Sequence, residues 1–72
     1  MTTFAVHGTT RDLVEARFTV HFPAGFTLFS MGGITSMDFE VQVREEVPFR
    51  RCAQISSDLK NWGAKVVIVD YC

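Results

Sequence analysis

Apolar and polar positions alternate from Val14 to Phe22, with Val14, Ala16, Phe18, Val20 and Phe22 on one side and Glu15, Arg17, Thr19 and His21 on the other. Strict alternation is the signature of a half-buried strand, so residues 13–22 are predicted to form one. Pro23-Ala24-Gly25 then offers a three-residue hairpin connection with a glycine available for a positive φ. In the register this implies, Phe22 faces Phe26, Val20 faces Leu28 and Phe18 faces Ser30 on the inner side. Thr19 then meets Phe29, and Arg17 meets Met31, on the outer side.

Gly32-Gly33 follows, and a glycine pair between strand-like runs suits a two-residue primed turn with Met31 facing Ile34. Leu28 is then opposite Met37, and Phe26 opposite Phe39. A strand over 34–45 directs Met37, Phe39, Val41 and Val43 inward, and Ser36, Asp38, Glu40, Gln42 and Arg44 outward. The two turns agree on which face is the core, and that agreement supports a meander.

After Glu45-Glu46 the apolar spacing lengthens to about 3.6 residues. Phe49, Cys52, Ile55, Leu59 and Trp62 form one stripe of an amphipathic helix, with Pro48 at its first position and Gly63 just past its end. The two glutamates complement the positive end of its dipole. Residues 64–71, almost wholly apolar and β-branched, read as a strand flanked on both edges or covered on both faces. Residues 2–7 read as a further strand, and Gly8 to Asp12 as a turn. The predicted fold is α+β, a mainly antiparallel meander of four to five strands with one helix packed on one face. Its order is β-β-β-β-α-β, in a single domain over 1–72. The last strand either runs parallel to the strand before the helix or joins the far edge.

With 72 residues, 47% of them apolar and seven of them Phe, the chain has enough apolar side chains for one core. A domain this small buries only about 60% of its unfolded surface. Phe39 and Trp62 are expected in the core, each costing about 3–5 kcal/mol on truncation to alanine. Seven basic and eight acidic side chains give a net charge of −1, which removes the footprint of a general nucleic-acid binder. The longest apolar run, Val66 to Val69, falls far short of a membrane span, and the N-terminus lacks the pattern of a secretory signal. A cytoplasmic location is therefore expected, with no membrane partner.

The chemistry-bearing residues are sparse. His7 and His21 have no nucleophile or carboxylate that spacing alone brings within reach. Glu15, Asp38 and Glu40 share the predicted outer face with Arg17 and Arg44, the mixture of an ordinary solvated sheet. Cys52 and Cys72 lack ligand spacing and are expected as reduced thiols. The glycine pair has no lysine after it and opens no helix that could cradle phosphate. No catalytic residue, metal or cofactor is expected.

What does stand out is an apolar tip. Phe29, Met31 and Ile34 are predicted to point outward together, beside Arg17 and Thr19. This suits a contact surface for a protein partner or a second copy of the chain. A register error of one residue, or a terminal strand folded over it, would make the same residues core. The expected function is that of a small non-enzymatic binding protein, an adaptor or inhibitor of a larger macromolecule, of a size often seen among phage and mobile-element accessory proteins. The alternatives are a nucleic-acid-binding module using Arg44, Arg50 and Arg51, which the acidic surroundings of Phe29 disfavour, and a homodimer formed by edge-strand pairing.

Overall fold

The computed structural model describes residues 1–33 and 36–71. Its elements run β1 (Thr2–His7), α1 (Arg11–His21), β2 (Thr27–Ser30), β3 (Asp38–Val43), α2 (Phe49–Asn61) and β4 (Lys65–Tyr71). The strands form one antiparallel sheet in the order β2-β3-β1-β4. The α+β class is as expected, but the chain order is β-α-β-β-α-β with two helices. This is the split βαβ arrangement, in which β3 inserts between β1 and β2.

The principal correction is residues 13–22, which are helical up to His21, with Phe22 as the C-terminal cap. Val14, Phe18 and Phe22 satisfy a period of two and an i, i+4 spacing equally, so the residues between them decide. Ala16 is exposed and Val20 is 64% exposed, whereas Val14 and Phe18 are fully buried. Local signals also favour the helix. The Thr10 hydroxyl caps it by accepting from the Leu13 N–H, Asp12 sits in the first turn, and Arg11 bonds Glu15 one turn on at 3.1 Å. Gly8, at φ +79°, turns the chain out of β1 just before this cap.

Pro23-Ala24-Gly25 consequently joins a helix to a strand, and the expected pairs Phe22–Phe26, Val20–Leu28, Phe18–Ser30, Thr19–Phe29 and Arg17–Met31 do not form across a hairpin. Leu28 pairs with Val41 and Ser30 with Phe39. Relative to the expected Leu28–Met37 pair, β2 lies four residues further along β3, because the connection is longer than Gly32-Gly33 alone. Its ends are closed by the Met31 N–H donating to the Asp38 carbonyl at 2.9 Å. A shift by an even number leaves faces unchanged, so Phe39, Val41 and Val43 are core as expected and Asp38, Glu40 and Gln42 lie on the other face. Met37, expected inward, precedes the strand and is 46% exposed. The expected Met31–Ile34 contact lies outside the described residues.

On α2 the stripe narrows to Cys52, Ile55 and Leu59, all buried, while Phe49 and Trp62 at its two ends stand 75% and 57% exposed. Pro48 is the cap rather than the first helical residue, and Gly63 adopts φ +85° past the end. β4 takes the far sheet edge beside β1, antiparallel to it and so in the same direction as β3 two positions away, as the expected crossover through the helix allows; it is not flanked on both edges.

Both helices pack on one face of the sheet. Phe4 and Val6 of β1 and Phe39, Val41 and Val43 of β3 form the core with Val14, Phe18, Cys52, Ile55 and Leu59. Phe18 lies at its centre, edge-on to Phe4 at 5.4 Å between ring centroids and 6.0 Å from Phe22. At the margin, the buried Thr2 hydroxyl donates to the Glu45 carbonyl at 3.2 Å and accepts from the Val47 N–H at 2.9 Å. This fixes the β3–α2 connection to the start of β1.

Candidate functional site: the open sheet face and its apolar tip

The face turned away from the helices is read directly from the strand register. Phe29, Glu40, Ala5 and Val67 form one row across all four strands. Beside it, Asp38, His7 and Lys65 form a second, in which Asp38 Oδ1 lies 3.1 Å from His7 Nδ1. The centre of the face is thus largely polar and hydrogen-bonded, with Gln42 Nε2 donating to Glu40 at 3.4 Å, and its larger apolar residues, Phe29 and Val67, stand on the edge strands.

At the β2–β3 end Phe29 is 44% exposed and Met31, two residues on, 61%. The Met31 N–H and the Asp38 carbonyl hold the two sides of this tip together. A short β2 at the sheet edge has no strand on its outer side among the described residues. Exposed β2 therefore offers backbone donors and acceptors beside the apolar side chains.

Of the residues expected in this surface, Phe29 and Met31 belong to it, and Ile34 lies outside the described residues. Arg17 and Thr19 do not belong to it, because they sit on α1 on the opposite side of the sheet. Arg17 donates to both carboxylate oxygens of Asp58 on α2, and the Thr19 hydroxyl donates to the Glu15 carbonyl. Glu15 likewise leaves the outer sheet face for α1.

Each histidine finds a carboxylate through the fold, which spacing alone does not bring within reach. His7 meets Asp38 across β1 and β3. His21 ends α1, and its Nε2 lies 2.9 Å from Asp58 Oδ2. Partial burial raises the Asp58 carboxyl, but hydrogen bonds and charge from Arg17 and His21 outweigh it and hold the group below its ordinary value. These contacts span 31 and 37 residues of sequence, beyond the reach of any local spacing rule.

The alternative set divides. Arg44 and Arg50 are exposed, whereas Arg51 is engaged within the fold. Its guanidinium lies 4.8 Å from the Phe22 ring centroid and donates to Glu45 and to the His21 carbonyl. Sheet-surface recognition of single-stranded RNA stacks bases on aromatics of the central strands. Here those strands present Thr3, Ala5 and His7, and Asp38, Glu40 and Gln42, with Phe29 alone at the edge opposite Glu40.

Among the described residues no group of three His, Cys, Asp or Glu side chains is placed to hold a metal ion, and no helix is long and apolar enough to cross a membrane. Cys52 is a buried free thiol donating to the Val47 carbonyl, and Cys72 lies outside the described residues. Comparison of the chain with protein-family models, with curated proteins and with solved structures finds no match.

Proposed function

We propose that the chain is a non-enzymatic protein-binding domain, an adaptor or an inhibitor, that engages its partner through the β2 edge and the tip formed by Phe29 and Met31. The observation that carries this reading is the exposure of Phe29 and Met31 at successive outward positions beside the unpaired β2 edge, next to the acidic Asp38 and Glu40. Methionines adapt their shape to a partner, an aromatic supplies the anchor, and the neighbouring Asp38 and Glu40 supply a charged rim. The open β2 edge suits addition of an extended segment of the partner, whose backbone would continue the sheet.

The deciding experiment is affinity capture from cells that make the protein, comparing wild type with Phe29→Asp and Arg50→Glu. Loss of one specific protein with Phe29→Asp and its retention with Arg50→Glu supports the reading. Equal recovery by both variants removes the tip from consideration. A second reading, self-association, has its own observation: β4 occupies the other sheet edge over seven residues. Pairing of two such edges would join two sheets, and a monomer mass by light scattering at working concentration would eliminate it.

A further inference from the structure

At the end of the β2–β3 pair away from the tip, the fold opens into a cleft of about 690 Å³, lined by the Phe22–Phe26 connection, Thr27, Gln42, Arg44, Glu45 and Arg51. That volume lies within the roughly 300–1,000 Å³ usual for small-molecule sites. We infer that this cleft binds a small organic anion, with its oxyanion on Arg44 and Arg51 and its apolar body against Phe26 and the Pro23-Ala24 stretch.

Three features carry the inference. The first is charge: two arginines and one carboxylate line the cleft in a chain whose net charge is −1. The second is preorganisation. Arg51 is held over Phe22 by its contacts with Glu45 and the His21 carbonyl, and these use only part of its five-donor fork. The His21 end of α1 is in turn fixed through Asp58 to Arg17. The third is that Arg44, exposed at the end of β3, makes no ion pair among the described residues and is left to meet an incoming charge.

An apolar wall facing charged donors selects for an amphipathic anion rather than a neutral or fully polar solute. A nucleic-acid strand fits less well, because a phosphodiester chain needs a track of cations. Arg50 does not line the cleft, and Lys60 and Lys65 lie at the far end of α2 and on β4. The site is separate from the apolar tip, so either can fail without the other.

Amide NMR of the ¹⁵N-labelled full chain tests it, with phenylacetate, phenylphosphate, neutral phenylacetamide and a single-stranded oligouridylate as probes. The expected result is saturable shifts of the Ala24, Gly25, Thr27 and Gln42 amides with one or both small anions and not with phenylacetamide; the two anions distinguish carboxylate from phosphate as the preferred oxyanion. Arg44→Ala, an exposed change that leaves the rest of the spectrum native, weakens that binding about tenfold or more. Equal shifts with phenylacetamide, undiminished binding by Arg44→Ala, or no saturation by either anion below about 10 mM overturns the inference. Saturation by the oligouridylate alone overturns it in favour of nucleic acid.

Discussion

Arg17 on α1 grips Asp58 on α2 through two guanidinium nitrogens, Nη2 donating to Oδ1 at 2.8 Å and Nε to Oδ2 at 3.0 Å. His21, one turn further along α1, closes on the same carboxylate. This cluster bridges the two helices directly, so it helps set how α1 and α2 lie against each other. Asp58→Ala is expected to destabilise the domain by about 1–2 kcal/mol, a figure reduced for partial solvent access. Chemical denaturation of Asp58→Ala, Arg17→Ala and the double variant checks it. Strict additivity of the two losses would show that the pair is not coupled.

The same carboxylate makes stability depend on acidity. Its folded pKa is depressed, because Arg17 and His21 outweigh the upward push of burial. A depressed carboxylate stabilises the fold above its unfolded pKa, about 3.9, and the contribution disappears as pH falls through the lower folded value. Melting temperature should therefore decline below about pH 4, and Asp58→Asn should flatten that decline while lowering stability at neutral pH. An unchanged slope in Asp58→Asn would assign the acid sensitivity to another group.

Phe39 and Trp62 separate core from surface. Phe39 is 3% exposed within the core, so Phe39→Ala should cost about 3–5 kcal/mol and unfold much of a domain this small. Trp62 stands 57% exposed at the end of α2, its ring 5.6 Å from the Arg17 guanidinium. Trp62→Ala removes a cation–π contact and little burial, for a cost of about 1 kcal/mol. Thermal melts of the two variants should differ widely, and equal losses would place the indole in the core after all.

Residues 13–22 show what local pattern can and cannot settle. A spacing of four is a multiple of both the strand period and, nearly, the helix turn, so Val14, Phe18 and Phe22 fit either element. The deciding information lay in Thr10, Asp12 and the Arg11–Glu15 pair, capping and charge signals that read as a turn if the helix is not suspected. Reading that segment as a strand carries Arg17 and Thr19 to the wrong side of the sheet and removes the βαβ unit. Phe29 and Met31 kept their outward direction because the β2–β3 register error was even. Second strands and helices with unambiguous period, such as β3 and α2, were readable directly. Placement of β4 and the His7–Asp38 and His21–Asp58 pairs depends on long-range pairing, which one sequence does not display.

Thr2 offers a test of that long-range pairing at a single oxygen. Its buried hydroxyl is both donor to the Glu45 carbonyl and acceptor for the Val47 N–H, so it satisfies two backbone groups where the chain passes from β3 to α2. Thr2→Val keeps the shape and the β-branching but leaves the Val47 amide without its acceptor in a buried position. Such an orphaned donor costs about 1–3 kcal/mol. Thr2→Ser keeps the hydroxyl and loses only a methyl group, and should cost about 1 kcal/mol or less. Hydrogen exchange at the Val47 amide distinguishes the mechanism from general loosening: protection there should collapse in Thr2→Val and persist in Thr2→Ser. If both variants lose protection equally, packing of the methyl group rather than the hydroxyl anchors the β3–α2 connection to β1.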